Sequence, residues 1–148
     1  MEHKKILMVC LGNICRSPLA QGILNAKVNH LNIEVHSAGS ANYHIGYPPD
    51  PRSIAVGLKN NIDIRKQIAR QFSVNNFKVF LHTYVMDNNN YKDLIVLTPL
   101  IEEKLKVNYI LQNQENLPDP YYGGTEAFDQ CFSLLENACE RIANILKK

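Results

Sequence analysis

No apolar run in this 148-residue chain approaches the roughly 20 residues that cross a bilayer, so a membrane span is not expected. An excess of one charge is also missing. Sixteen Lys and Arg against 14 Asp and Glu leave a formal net charge of +2, too little to argue for nucleic acid or an anionic membrane as partner. Cysteines are few: Cys10, Cys15, Cys131 and Cys139, with no Cys-x-x-Cys pair. That excludes the usual zinc pattern and a disulfide framework, which a domain of this size does not need. Two phosphate-binding signatures are absent as well, the Gly-Lys-Ser/Thr of an ATPase loop and the GxGxxG of a dinucleotide fold. The opening Met1-Glu2-His3-Lys4-Lys5 runs directly into a strand-like segment, so no secretory leader is expected and the cytoplasm is the default location.

What is present suits one domain over residues 1–148, with 45% apolar residues to build a core. Lys4 to Cys10 reads as a buried strand, and Ser17 to about His30 as a helix with Leu19, Ile23 and Leu24 at helical spacing. Ile33 to His36 is a second short strand, followed by a loop from Ser37 to Pro51. Asp50-Pro51 opens a helix that reaches Lys59 and is broken by Asn60-Asn61. Short turns are expected over Ile68–Phe72, and a strand over Phe77–Leu81 that continues toward Val85. Asn88–Ile95 reads as helix and Val107–Leu111 as a weaker strand. Thr125–Lys147 is the clearest helix, with Phe128, Cys131, Leu135, Ala138, Ile142 and Ile145 on its apolar face. Alternating strands and helices predict an α/β fold, a parallel sheet covered on both sides, with ligands beyond the carboxyl ends of the strands.

Cys10 sits at one such end. The loop Leu11-Gly12-Asn13-Ile14-Cys15 leads to Arg16, six residues after Cys10, and Ser17-Pro18 then opens the helix. So tight a loop turns successive N–H groups inward as an anion nest, and the helix adds its positive end. Arg16 is suited to bind two phosphoryl oxygens at once, and Gly12 relieves steric limits in the turn. The same field favours the thiolate of Cys10, the nucleophilic form of cysteine. Ser17 is read two ways, as a donor to the sulfur and as a helix cap. Cys15 is also read two ways, as a packing residue and as a thiol able to trap an oxidised Cys10. Cys131 and Cys139 read as small buried apolar residues.

Displacement of an alcohol from phosphorus by cysteine needs an acid for the leaving oxygen and then a base for water, and one carboxylate serves both. Asp119, in Leu-Pro-Asp-Pro-Tyr-Tyr-Gly-Gly, is the candidate. Asp87, in Val-Met-Asp-Asn, is expected to orient a neighbouring group.

With these residues in place, the chain closely resembles the low-molecular-weight protein tyrosine phosphatases. Cys10-Leu-Gly-Asn-Ile-Cys-Arg-Ser17-Pro18 matches the family's signature loop, and His36-Ser37-Ala38-Gly39, Asp50-Pro51-Arg52, Ala69-Arg70-Gln71, Met86-Asp87 and Asp119-Pro120-Tyr121-Tyr122-Gly123 match further landmarks in order. The resemblance implies a four-stranded parallel sheet flanked by helices on both faces, a Rossmann-like three-layer sandwich. It makes Cys10 the nucleophile, Arg16 the phosphate binder and Asp119 the general acid. Leu11, Gly12, Asn13, Ile14, Cys15 and Ser17 then form the phosphate loop, with Asn13 shaping it and Ser37 contacting Asn13. Tyr43, Tyr121 and Tyr122 wall the substrate slot. Ile14 faces the entrance, where relatives acting on phosphoarginine carry threonine, and so argues for phosphotyrosine.

The reaction implied is hydrolysis of phosphotyrosine and small aryl phosphates through a phosphocysteine, without metal or other cofactor. Phosphate and other oxyanions are then product or inhibitor. The partner implied is a phosphotyrosine-bearing protein, for which a cytoplasmic tyrosine kinase is the family-based suggestion, and the monomer is the default state. Two rivals share the loop: an arsenate reductase, which needs further relay cysteines, and a non-catalytic phosphate- or phosphotyrosine-binding module. Two departures from the family stand out. Gln21 replaces a usual Glu and Gln67 a usual His, and the expectation is that the two amides touch behind the loop.

Overall fold

The computed structural model describes residues 3–148; Met1 and Glu2, with the expectations that rest on them, lie outside the described residues. Four parallel strands form one sheet: β1 (Lys4–Cys10), β2 (Ile33–Gly39), β3 (His82–Val85) and β4 (Val107–Tyr109). Their spatial order is β2-β1-β3-β4. The chain winds outward from β1 in both directions, so β1 is the topological switch point at which such sheets bind ligands.

Ile6, Leu7, Met8 and Val9 of β1 are fully buried because both faces of the sheet are covered, which explains an apolar run without alternation. On one face lie α1 (Arg16–Val28), α2 (Pro51–Lys59) and α6 (Thr125–Leu146) over Ile6, Met8, Leu19, Ile23, Phe128 and Leu135. On the other, α3 (Asn76–Val79) and α4 (Asn88–Ile95) cover Leu7 and Val9 with Phe77, Phe80 and Leu94. A short α5 (Ile101–Lys104), absent from the sequence reading, precedes β4. The α/β sandwich expected from the sequence is therefore the fold observed. No helix among the described residues is long and apolar enough to cross a membrane.

Three local expectations fail for physical reasons. Phe77–Leu81 is mostly helical rather than a strand: Phe77 and Phe80, three apart, both pack into the core with Leu7 and Val9, and the strand begins only at His82. Ile68–Phe72 does not turn but runs extended, with Gln71 bridging Gly39 in parallel. That bridge carries Arg70 to the back of the Cys10 loop. On α6, Ile145 is 52% exposed, while Cys139 and Leu146 are buried in its place.

Candidate active site

Three carbonyls shape the loop between β1 and α1. The oxygens of Cys10, Leu11 and Ile14 accept from the N–H groups of Ser40 (2.8 Å), Ala41 (2.9 Å) and Asp50 (2.8 Å), all outside the loop. In a trans peptide the N–H points opposite to the carbonyl, so the amides of Leu11, Gly12 and Cys15 are aimed inward. This is the nest expected from the sequence, and its cause is the outward anchoring of its carbonyls.

Asn13 takes the left-handed conformation, with φ +59°, which asparagine tolerates. Its side chain is buried and fully used. Nδ2 donates to Ser17 Oγ (2.7 Å) and Ser37 Oγ (2.9 Å), and Oδ1 accepts from the Arg70 N–H (3.0 Å). Gly12 has a different role from the one expected. It does not supply the unusual backbone angle; a Cβ there would stand 2.8 Å from the His44 ring, so glycine permits a close approach. His44 therefore joins the site although the sequence did not single it out. Its only signal was its place directly after Tyr43.

Cys10 Sγ accepts the Asn13 N–H at 3.3 Å and lies 3.0 Å from Ser17 Oγ. Because Ser17 Oγ already accepts from Asn13, its own hydrogen is free to point at the sulfur. Ser17 makes no capping bond: the N-cap position belongs to Cys15, and the helix starts at Arg16. Of the two readings of Ser17, the contact with sulfur is the one observed.

Arg16 is only 2% exposed. Its Nη1 donates to Asp87 Oδ2 and to the Leu117 carbonyl, each at 2.8 Å, while Nη2 stands 3.6 Å from Asp119 Oδ2. Burial opposes its charge, but the negative groups Cys10, Asp87 and Asp119 outweigh that and raise its pKa further. Asp87 is thus bonded to the Arg16 guanidinium. It also caps α4 by accepting the Asn90 N–H at 2.8 Å. Asp119 caps a single 3-10 turn, Pro120–Tyr122, by accepting the Tyr121 N–H at 3.1 Å, and its side chain is 39% exposed.

These groups meet in a pocket of about 300 Å³. Cys10, Gly12, Ile14 and Arg16 form its floor, Tyr43 and His44 one wall, and Asp119 and Tyr121 the other, with Tyr122 at the edge. Leu11 and Cys15 also line it. Tyr122 is 93% exposed, an outer rim rather than a wall of the slot. Of the residues singled out from the sequence, Asn13, Ser17, Ser37 and Asp87 stand behind the pocket rather than in its lining.

The remaining thiols are packed. Burial raises Cys131 and Cys139 on α6 to about 12, and burial together with the Asp50 charge does the same for Cys15. The thiolate of Cys15 that would attack an oxidised Cys10 is scarce at neutral pH, which favours the packing reading. The expected contact between Gln21 and Gln67 is not formed as a hydrogen bond. Gln21 Oε1 accepts from Ser37 Oγ (2.6 Å), and Gln67 Nε2 donates to the Pro18 carbonyl (3.0 Å). One amide thus meets the end of β2 and the other the first turn of α1, the two elements that flank the loop.

Comparison with known proteins agrees with this geometry. The model of the low molecular weight phosphotyrosine protein phosphatase family matches residues 5–148. A Homo sapiens protein of that name is 34% identical, with 92% of this chain and 91% of that protein aligned. A crystal structure of a protein tyrosine phosphatase from Entamoeba histolytica superimposes with a TM-score of 0.90 at 35% identity, covering 97% of both chains. Vibrio vulnificus Wzb in complex with benzylphosphonate gives a TM-score of 0.89 at 31% identity, covering 97% of this chain and 99% of that one.

Proposed function

Because the chain belongs to the low molecular weight phosphotyrosine protein phosphatases, we propose that Cys10, Arg16 and Asp119 carry out its reaction, with all of residues 1–148 acting as one catalytic domain. The enzyme is a protein-tyrosine phosphatase, a phosphoric monoester hydrolase. The observation that carries the residue assignment is the meeting of these three side chains in one pocket whose floor is an inward-facing amide nest.

In the first step Cys10 Sγ forms a bond to phosphorus as the bond to the tyrosyl oxygen breaks, and protonated Asp119 hands its proton to that oxygen. Arg16 and the loop amides hold the equatorial oxygens throughout, where negative charge is greatest. Asp87 and the Leu117 carbonyl occupy Nη1 of Arg16, so the guanidinium is aimed before the substrate arrives. In the second step Asp119, now a carboxylate, takes a proton from water as that water attacks phosphorus. The sulfur leaves as thiolate, stabilised by Ser17 and the Asn13 N–H.

Tyr43 and Tyr121 on opposite walls support an aryl ester as substrate, because a phosphate on the pocket floor leaves the ring between them. Benzylphosphonate in the Vibrio vulnificus neighbour has the same outline, an anion joined to an aromatic ring. Ile14, which also lines the pocket, offers an apolar contact to that ring. We take the partner to be a phosphotyrosine-bearing protein, such as a cytoplasmic tyrosine kinase, met in the cytoplasm by a monomer, with phosphate as product and oxyanions as inhibitors.

The test is a panel of phosphotyrosine, phosphoserine and phosphoarginine peptides assayed with wild type, Cys10→Ser and Asp119→Asn. Turnover confined to phosphotyrosine, and abolished in Cys10→Ser with phosphate binding retained, is expected. Full hydrolysis by Cys10→Ser overturns the assignment.

A further inference from the structure

Arg52 bridges the two halves of the pocket without lining it. It is the second residue of α2, and three of its nitrogens converge on the N-cap carboxylate of the same helix. Its main-chain N–H and Nε donate to Asp50 Oδ1 at 2.8 and 3.0 Å, and Nη2 donates to Asp50 Oδ2 at 2.9 Å. Asp50 is itself fixed to the phosphate loop, since its N–H donates to the Ile14 carbonyl at 2.8 Å. A planar guanidinium held by two bonds to one carboxylate has little freedom left.

The other edge of that guanidinium reaches the opposite wall. Nη1 donates to the Gly123 carbonyl at 3.2 Å, and Cζ stands 5.4 Å from the centre of the Tyr121 ring and 4.6 Å from that of Phe128. Tyr121 and Gly123 belong to the turn that Asp119 caps. Among the described residues Asp119 has little else to locate it: one bond from the Tyr121 N–H within the turn, and the 3.6 Å pair with Arg16. An incoming phosphoryl group competes for that pair, because Arg16 is, among the described residues, the guanidinium that lines the pocket.

We propose that Arg52 is a positioning residue that holds the Asp119 turn at a fixed height above the Cys10 loop, through Asp50 on one side and Tyr121 and Gly123 on the other. The proposal rests on Asp119 being the general acid. Removing Arg52 frees the turn, and the proton donor then spends less time in line with the leaving oxygen. The effect falls on substrates whose leaving group needs that proton and spares those whose leaving group does not.

The experiment measures kcat/KM, which reports formation of the phosphocysteine, for 2,4-dinitrophenyl phosphate and phenyl phosphate. The proteins are wild type, Arg52→Gln, Arg52→Lys, Asp119→Asn and the Arg52→Gln/Asp119→Asn double variant, with thermal unfolding recorded for each. Arg52→Gln is expected to lose about tenfold on phenyl phosphate and less than about twofold on dinitrophenyl phosphate. Arg52→Lys, which keeps a cation but not the fork, falls between wild type and Arg52→Gln. The double variant behaves as Asp119→Asn alone. Equal losses on both substrates, no loss on either, or a further loss in the Asp119→Asn background overturns the proposal. If Asp119→Asn itself leaves the leaving-group dependence unchanged, the acid assignment has failed and the role of Arg52 fails with it. If only Arg52→Gln leaves it unchanged, the acid stands and the proposal alone is lost.

Discussion

Cys10 Sγ and Ser17 Oγ lie 3.0 Å apart at the base of the pocket, and Asn13 Nδ2 supplies the second bond to that hydroxyl. A serine that begins a helix in sequence is thereby turned away from capping and toward sulfur. Its loss removes a bond to a group that carries charge in the reaction, worth about 1.5–3 kcal/mol. Ser17→Ala is expected to lower kcat by about 10- to 100-fold while the helical circular dichroism stays unchanged. Retained activity with loss of helix would show that capping is the role that matters.

Asn13 combines a left-handed backbone with three side-chain bonds, so two substitutions separate the contributions. Asn13→Gly keeps the conformation accessible and loses the bonds; Asn13→Ala loses both. Leaving the part-buried Arg70 N–H and the two serines short of partners costs about 2–3 kcal/mol, and alanine at positive φ adds about 1 kcal/mol. For a chain of this length each kcal/mol lowers Tm by about 2–4 °C. Asn13→Ala is therefore expected to melt below Asn13→Gly, and both below wild type. Equal melting of the two variants would mean that the backbone angle carries no cost.

Asp87 acts on two elements through two oxygens, Oδ2 toward Arg16 and Oδ1 toward the first turn of α4. Asp87→Asn preserves an oxygen for the cap and removes the charge that faces Arg16. We expect phosphate, measured as a competitive inhibitor, to bind within about threefold of wild type, because the Leu117 carbonyl still accepts from Nη1. We expect kcat/KM to fall by about tenfold, because aim matters more to the transition state than to the ground state. A fall in phosphate affinity as large as the fall in kcat/KM would show that Asp87 contributes uniform binding instead.

Much of this site was legible in the chain because its parts are local. Cys10, Asn13, Arg16 and Ser17 fall within eight consecutive residues, and a buried strand leading into a helix places them by itself. What escaped the sequence depends on distant segments. The main-chain N–H of Arg70 reaches Asn13 Oδ1 only because Gln71 bridges the end of β2, in a stretch whose residues suggest turns. The division of labour between Gln21 and Gln67 depends on which carbonyl or hydroxyl each amide meets first, and spacing along the chain does not carry that information. The strand expected at Phe77–Leu81 failed because two phenylalanines three residues apart fit a helical turn as well as a short apolar run.

The buried thiols make a last prediction about pH. Burial raises Cys15, Cys131 and Cys139 from 9.0 to about 12, with the Asp50 charge adding to the effect at Cys15. Below pH 9 each thiol is protonated in both the folded and the unfolded chain and contributes nothing to the pH dependence. Between 9 and about 12 the unfolded chain gives up these protons while the folded chain keeps them, so the folded state binds more protons and stability falls as pH rises. Each thiol contributes a slope of about 1.4 kcal/mol per pH unit, and the three together about 4 kcal/mol per pH unit. Tyr84, also raised by burial, and Lys27, raised by Glu136 and Glu140 against the opposing effect of burial, act in the same direction at higher pH. Urea unfolding midpoints measured from pH 7 to 11 are expected to be flat up to about pH 9 and to fall steeply above it, with Cys131→Ala reducing the slope. In the same protein at neutral pH, iodoacetate is expected to modify Cys10 alone, with phosphate protecting it. A midpoint that holds level to pH 11, or carboxymethylation of Cys131 in the folded enzyme, would show that these thiols ionise as freely in the native state as in the unfolded chain.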